Sequence, residues 1–290
     1  MAQIREIKKR IKAVSNIRRI TNTMQMIATA RFKSSLDRAT ATKPYTQKVR
    51  ALVGELASAA GDIRHFLFDP PSNSPQRELV LVLTSDRGLC GAYNSNVLRM
   101  ATTYLRSLDG QLRLEVVGKK GAMFYRFAGF DVAQQHTQFG DKPAYAAIEA
   151  LAQRYMDEFK AGQYDKVSVA HMRFMSAGRQ TPVIEQILPL STPAAAQGGA
   201  GGGRRAEYDF SPDAESLLAD LLPITVKTSL FQAFNDAVVS EHVSRMVAMK
   251  AATDNAGKLR KTLRRNYNRA RQAQITTELN EIIGGSAALG

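Results

Sequence analysis

Hydrophobic and small residues recur in steps of three and four along the last quarter of the chain. From Ile224 to Ile283 there is no proline and one glycine, Gly257, and most residues lose little side-chain freedom in a helix. This pattern predicts a long helix of roughly 90 Å, at about 1.5 Å per residue, with a narrow apolar row (the seam) of the coiled-coil kind. Between Val238 and Met249 two rows compete for the seam. The predicted seam positions are Phe231, Phe234, Val238, Met249, Ala252, Ala256, Leu259, Leu263, Tyr267 and Ala270.

The first residues predict a second long helix with a seam of its own. An extra three-residue step near Ile17 departs from a strict heptad and predicts a stammer, a local overwinding of the coiled coil. Pro44 should kink this helix or end it near Thr42, because proline has no backbone N–H. The predicted seam runs through Ile4, Ile7, Ile11, Val14, Ile17, Ile20, Met24 and Ile27.

Short apolar runs alternate with amphipathic segments in the middle of the chain. This alternation indicates a Rossmann-like α/β domain with a mostly parallel sheet. The predicted strands are Glu78–Thr84, Leu112–Val117, Phe130–Gln134, Lys166–Met172 and Thr181–Leu190, and the predicted helices are Asn94–Leu108, Ala122–Phe127 and Tyr145–Lys160.

The fold class predicted is therefore α/β: a long antiparallel coiled coil of the N- and C-terminal helices plus the Rossmann-like domain. The two helices should be antiparallel because both join the same middle domain. The expected domains are residues 1–60 (N-terminal coiled-coil helix), 77–190 (Rossmann-like domain), 191–210 (Gly-rich flexible insertion) and 211–290 (C-terminal helical region). The second helix should overhang the first from Gln274 onward, and it ends in small residues.

Positive charge is concentrated in the two predicted helices. Residues 1–50 hold 13 Lys/Arg against two acidic residues, a net charge of +11, and residues 223–290 hold 10 against five, a net charge of +5. The rest of the chain is close to neutral, so the basic helices predict acidic partners such as nucleic acid, anionic lipid or acidic protein surfaces. The start lacks the apolar segment of a secretory signal, no apolar run is long enough to predict a membrane span, and the single cysteine, Cys90, permits no internal disulfide.

Four stretches resemble the gamma subunit of F-type ATP synthases, in order and over nearly the full length. They are Ile4–Arg31 (IREIKKRIKAVSNIRRITNTMQMIATAR), Thr84–Gly91 (TSDRGLCG), Arg245–Gly257 (RMVAMKAATDNAG) and Tyr267–Gly285 (YNRARQAQITTELNEIIGG). The resemblance implies the central rotor of the synthase: a non-catalytic shaft without a cofactor that couples ion-driven ring rotation to the catalytic alpha–beta sites. It implies three alpha and three beta subunits, an epsilon subunit and the membrane c-subunit ring as partners. The lack of a targeting segment at the start predicts a place on the cytoplasmic face of a bacterial inner membrane, with a processed organellar chain as the alternative.

The same resemblance implies which residues contact other subunits. Met24 with Arg10, Arg18 and Arg19 would pass an acidic loop of beta, and Arg245 would lie on the facing part of the second helix. Tyr208 would lie where the subunit meets the c-ring, although Ser211 stands where relatives often carry an acidic residue. The residues expected near the upper catch loops of alpha and beta are Arg271, Gln272, Thr276 and Glu278.

Other interpretations stay open from the residues alone. A basic coiled coil could bind nucleic acid, but no binding module and no interleaved aromatic residues accompany the charge. Thr84–Gly91 follows a strand and contains two glycines, yet it lacks the spacing of a phosphate-binding loop, which favours a structural turn. Cys90 has no catalytic base near it in sequence and is expected to be a buried small side chain. The four histidines show no metal-ligand spacing.

Overall fold

The computed structural model describes residues 2–59, 65–68, 77–190 and 214–289. They form two compact units, one made of Met1–Ala30 with Arg245–Gly290 and the other of Arg31–Ser244. The elements in chain order are α1 (Ala2–Ala59), β1 (Arg77–Leu83), α2 (Tyr93–Arg106), β2 (Gln111–Val117), α3 (Lys119–Phe127), β3 (Val132–His136), α4 (Tyr145–Lys160), β4 (Lys166–Ser176), β5 (Arg179–Leu188) and α5 (Ala214–Leu289).

The second unit contains a five-stranded sheet in the order β3-β2-β1-β4-β5. β3, β2, β1 and β4 are parallel, and β5 returns antiparallel beside β4. The chain therefore moves outward from β1 to β3, crosses back through α4, and adds β4 on the other side of β1. The predicted fold class is confirmed, and the predicted strands match these elements, with the third lying two residues later than expected.

The central strand β1 is buried on both faces of the sheet, as its continuous apolar run predicted. Leu79, Leu81 and Leu83 point into one core, which contains α4 and buried residues of α1 and α5. Val80 and Val82 point into the opposite core, with α2 and α3. This alternation is the two-residue period of a strand, so each face of the sheet is covered by helices.

The long helices pass through both prolines without ending. Thus α1 does not end near Thr42, one of the two outcomes predicted for Pro44, and α5 begins nine residues before Pro223. Pro44 is exposed, so the carbonyl that loses its partner can reach water, while buried Thr46 and Val49 hold the next turn in place. On α5, Pro223 lies between fully buried Leu222 and nearby Val226. Packing on both sides of each proline outweighs the one lost backbone hydrogen bond.

Part of α5 has the composition of a membrane span. Ser216–Gly284 contains a window with mean hydropathy 1.2, of which 50% is buried inside the protein. The buried residues include Leu222, Val226 and Leu230, all in the core against the sheet. A core helix accounts for this apolar window.

A buried carboxylate, that of Glu115 on β2, links this strand to β3 and to α4. Its Oε2 accepts hydrogen bonds from Arg154 Nη2 at 2.7 Å and from Tyr155 Oη at 2.8 Å. His136 Nε2 lies 2.8 Å from the same oxygen. Burial alone would raise the pKa of Glu115, but hydrogen bonds from His136, Arg154 and Tyr155 outweigh it and lower the pKa to about 2. The carboxylate is therefore ionised and held in place at neutral pH.

Replacing this carboxylate should destabilise the α/β unit in a pH-dependent way. Glu115→Gln should lower the free energy of unfolding at neutral pH by about 3 kcal/mol, because Arg154 keeps its charge and retains only the more distant Glu158 carboxylate, at 3.5 Å. A carboxyl with a depressed pKa stabilises the fold above its ordinary pKa of 4.5, and that contribution disappears as the pH falls toward 2. Urea unfolding at several pH values should therefore show the two proteins converging in acid.

Asp109→Asn is the matched control, because Asp109 is exposed. Its stability curve should follow that of the wild type. An E115Q curve parallel to the wild-type curve through this acid range would contradict the assigned role of Glu115.

Candidate subunit-contact surface on the helix pair

Two hydroxyl groups mark where the helices meet in the unit made of residues 1–30 and 245–290. Thr21 Oγ1 and Thr253 Oγ1 lie 2.8 Å apart, and both residues are only 9% exposed. Each hydroxyl also lies within hydrogen-bonding distance of a carbonyl one turn earlier, that of Arg18 or Met249. A Cβ added at Gly257 would lie 3.8 Å from Arg18 Nε. Thr253 therefore contacts Thr21, and Gly257 lies near Arg18. Because residue numbers rise along α5 as they fall along α1, the two helices are antiparallel.

The observed seam keeps a regular heptad, and the stammer predicted near Ile17 is wrong. From Val14 the buried side of α1 continues to Thr21 and Ala28, each seven residues further on. On α5 the seam includes half-buried Arg260, whereas the predicted seam residue Leu259 is 50% exposed. The buried or half-buried heptad positions of α5 are Met249, Thr253, Ala256, Arg260, Leu263, Tyr267, Ala270 and Gln274. Met249, Ala256, Leu263, Tyr267 and Ala270 are therefore seam residues as predicted, whereas Thr253 and Arg260 take the places predicted for Ala252 and Leu259.

Three isoleucines that were predicted to lie in the seam form an exposed apolar row on α1 instead. Ile17, Ile20 and Ile27 are 52%, 57% and 50% exposed, and half-buried Met24 belongs to the same row. The spacing of these residues, in steps of three and four, places them on one side of a helix. An apolar row that its own chain leaves open to water marks a surface for another protein. We define Ile17, Ile20, Met24 and Ile27 as the outer row.

The basic residues predicted as contacts lie outside this row. Arg10 lies seven residues before Ile17 and pairs with Glu6 at 2.5 Å. Arg18 and Arg19 are exposed, and among the described residues neither forms an ion pair. On α5, Arg245 is half-buried. The outer surface of the helix pair is therefore both apolar and cationic.

The predicted upper contacts lie on a part of α5 that is exposed on all sides. Every residue from 275 to 284 is exposed, including Ile275, Leu279 and Ile282 at 44%, 52% and 68%. Among the predicted contacts here, Thr276 bonds within its own helix and Glu278 accepts a hydrogen bond from Gln274. Arg271 and Gln272 are exposed just before this segment. Tyr208 and Ser211 lie outside the described residues.

The loop Thr84–Gly91 bonds mainly to its own surroundings. Asp86 Oδ1 accepts the Lys119 N–H at 3.0 Å, at the start of α3. Thr84 Oγ1 donates to the Val117 carbonyl at 2.7 Å, and Ser85 Oγ to that of Arg87 at 2.7 Å. Cys90 is 1% exposed, as predicted. These bonds support a structural turn.

A cavity of about 150 Å³ lies beside this turn, where β1, β2 and β3 end. It is smaller than the roughly 300 Å³ at which pockets for drug-sized ligands begin. Among the described residues, no group of three or more His, Cys, Asp or Glu side chains could hold a metal ion.

The helix pair leaves an apolar and cationic surface exposed, whereas the loop of the α/β unit bonds to its own surroundings. These features define a subunit that works by contact with other chains. Comparisons with known proteins agree. The model of the family described as ATP synthase matches residues 3–289. The ATP synthase gamma chain of Rhodopirellula baltica is 44% identical over 300 residues, covering 100% of this chain and 99% of the relative. That of Pelotomaculum thermopropionicum is 35% identical over 289 residues, covering 100% of both.

Solved structures share the fold. A chain of the Euglena gracilis mitochondrial ATP synthase (OSCP/F1/c-ring) aligns with a TM-score of 0.67 at 18% identity, covering 99% of this chain and 95% of its own length. A chain of the Tetrahymena thermophila ATP synthase central stalk and c-ring aligns with a TM-score of 0.58 at 20% identity, covering 80% and 99%. The protein belongs to the ATP synthase gamma chain family, and is thus a non-catalytic subunit of a membrane-associated ATP synthase complex. The nucleic-acid-binding alternative finds no support in these comparisons.

The threonine pair and the outer row were missed at the level of sequence. The signal was present, because Val14, Thr21 and Ala28 are spaced by sevens. The larger isoleucines nearby conceal it, because large apolar side chains dominate a hydrophobic periodicity.

The hydroxyl pair should couple the two helices energetically. Thr21→Val and Thr253→Val should each lower stability, and the coupling energy in a double-mutant cycle should be about 1 kcal/mol. Chemical denaturation of the full chain measures it. Thr23→Val is the control, because Thr23 is exposed and bonds only to the Arg19 carbonyl of its own helix. Strict additivity of the two substitutions would show that the hydroxyls do not act on each other.

Proposed function

We propose that this chain is the central rotor shaft of an F-type ATP synthase, coupling ion-driven rotation of a membrane ring to conformational change at the catalytic alpha–beta sites. The observation that carries the proposal is the antiparallel helix pair whose outer row is left open to water. Family membership supports it, because the named relatives are ATP synthase gamma chains over their full length.

The helix pair has the asymmetry that such a task requires. A rotor changes the conformation of a surrounding site only if its contact energy differs between the two conformations of that site. The outer row gives the pair one apolar side, whereas other outward positions, such as Arg18, Arg19 and Lys12, are charged. Each orientation of the pair therefore presents a different chemistry to a given neighbour.

The charges on this surface suit contacts that form and break. Exposed ion pairs contribute only about 0–1 kcal/mol each and are screened by salt. Arg10, Arg18, Arg19 and Arg245 can therefore meet an acidic loop of beta without locking one orientation. Met24 adds a flexible, polarisable side chain at the same level.

The exposed end of α5 suits a second set of contacts. We assign Arg271, Gln272, Thr276 and Glu278 to the catch loops of alpha and beta. Ile275, Leu279 and Ile282 lie among them and supply apolar area that the chain itself leaves uncovered.

The proposed partners are three alpha and three beta subunits, an epsilon subunit and the membrane c-ring, which Tyr208 would contact. The titles of the structural relatives, which name a central stalk, F1 and a c-ring, are consistent with this assembly. The proposed location is the cytoplasmic face of a bacterial inner membrane, as a peripheral protein.

A cation placed in the outer row should impair coupling. Met24→Lys replaces an apolar contact by a charge that attracts an acidic loop, so it should over-stabilise one orientation and reduce proton pumping per ATP hydrolysed more than it reduces assembly. Pumping and hydrolysis measured together in the reconstituted complex test this expectation.

Asn22→Lys is the matched control, because Asn22 is exposed on another side of the same helix. It should retain a pumping ratio close to that of the wild type. An unchanged ratio in M24K would refute the role of Met24, and an equal loss in both variants would assign the effect to charge in general.

A further inference from the structure

A cavity lined by several charged side chains lies between both long helices and the β4–β5 hairpin, within the α/β unit. Its volume is about 210 Å³. A water molecule occupies about 30 Å³ of liquid, and pockets for drug-sized ligands begin near 300 Å³. The cavity therefore has room for an ion or molecule of a few heavy atoms and none for a nucleotide.

Charged side chains from four elements line this cavity. Arg50 of α1 and Arg173 of β4 hold the two oxygens of Glu185 of β5, at 2.9 and 3.1 Å. Lys43 of α1 and Asp236 of α5 complete the charged lining. Three cations thus face two carboxylates, which leaves one excess positive charge.

Several side chains that line the cavity can form further hydrogen bonds. Arg173 uses only Nη2 on Glu185, so its other guanidinium nitrogens remain available. Lys43 forms no ion pair among the described residues. Asp236 already accepts hydrogen bonds from Gln232 and the Phe174 backbone, yet burial still raises its pKa.

The innermost group is a histidine with an unsatisfied nitrogen. His171 of β4 is 1% exposed, and its buried Nδ1 has no hydrogen-bond partner among the described residues. Burial lowers the pKa of this imidazole to about 4, so it is neutral at physiological pH. A buried polar atom of this kind costs free energy unless a ligand or water satisfies it.

We propose that this cavity binds inorganic phosphate as hydrogenphosphate. The lining offers donors and acceptors together, and hydrogenphosphate carries both ionised oxygens and one acidic O–H. Its ionised oxygens would accept hydrogen bonds from Lys43 and Arg173. Its O–H would donate to the Asp236 carboxylate, or to Nδ1 of His171 in the tautomer that carries its proton on Nε2.

The two carboxylates give the site its selectivity. Sulfate has the same shape and no proton at neutral pH, so it would place an ionised oxygen against Asp236 and Glu185. Like charges in contact repel each other, and the partial burial of Asp236 strengthens this repulsion. The site should therefore accept phosphate and reject sulfate, in contrast to a surface that binds anions through its net charge alone.

The test uses the full chain with isotope-labelled histidine in a buffer free of phosphate. The chain has four histidines, and loss of one signal in His171→Gln assigns that residue. Phosphate in the millimolar range should shift the His171 imidazole signals and saturate, while sulfate at equal ionic strength should not. No shift with phosphate, or an equal shift with sulfate, would overturn the proposal.

Matched variants test which groups bind the ion. Lys43→Gln should weaken phosphate binding by about tenfold, the effect of one lost charge-assisted hydrogen bond, as measured by calorimetry. Lys48→Gln, on the same helix, exposed and outside the cavity, should leave the affinity unchanged. Equal weakening by both substitutions would show binding to the basic chain as a whole and would overturn the site.

Asp236→Asn tests the selectivity separately. It removes a charge while keeping a side chain that can accept from Gln232, so the thermal midpoint should stay close to that of the wild type. Sulfate should then bind with an affinity close to that of phosphate. Retained rejection of sulfate in a folded variant would contradict the role of Asp236. Glycerol phosphate serves as a further probe, and its binding without binding of the free ion would overturn the assignment to inorganic phosphate.

Discussion

The antiparallel contact between the first and last helices is the interaction on which the rest of the structure depends. Within residues 1–30 and 245–290 it is set by Thr21 and Thr253. Within residues 31–244 the same helices are joined by Thr42 to Gln232, and by Arg50 to Ser229. In each unit the pairing brings together parts of the chain that are about two hundred residues apart. Such long-range contacts are costly in chain entropy, so close packing along the seam must provide the compensation.

The sequence predicted the elements of the α/β unit well because each one is locally encoded. β1 is a continuous apolar run, and α4 has an apolar face, so period and length sufficed for both. Proline is a weaker guide for the opposite reason. Proline reports only on its own backbone, whereas the burial of Leu222 and Val49 on neighbouring turns depends on partners elsewhere in the chain.

The buried seam of the helix pair was predicted only in part, and the reason is physical. Hydrophobicity identifies side chains that avoid water, but it does not say whether the same chain or another one covers them. Ile17 and Ile20 are therefore indistinguishable from core residues by composition, although they lie outside the seam. Only the position of the small residues, Thr21 and Ala28, shows which side of the helix packs within the chain. The roles of Arg18 or Arg271 came from family resemblance, since an exposed arginine carries no periodic signal.

The outer row also has a consequence for how cells handle this protein. A chain that exposes Ile17, Ile20 and Ile27 side by side is prone to self-association whenever its neighbours are missing, because exposed apolar patches promote aggregation. If other subunits cover this row as proposed, an unassembled copy has more exposed apolar surface than an assembled one and depends more on chaperones. The isoleucines that we propose as contacts in the complex thus promote aggregation of the unassembled subunit.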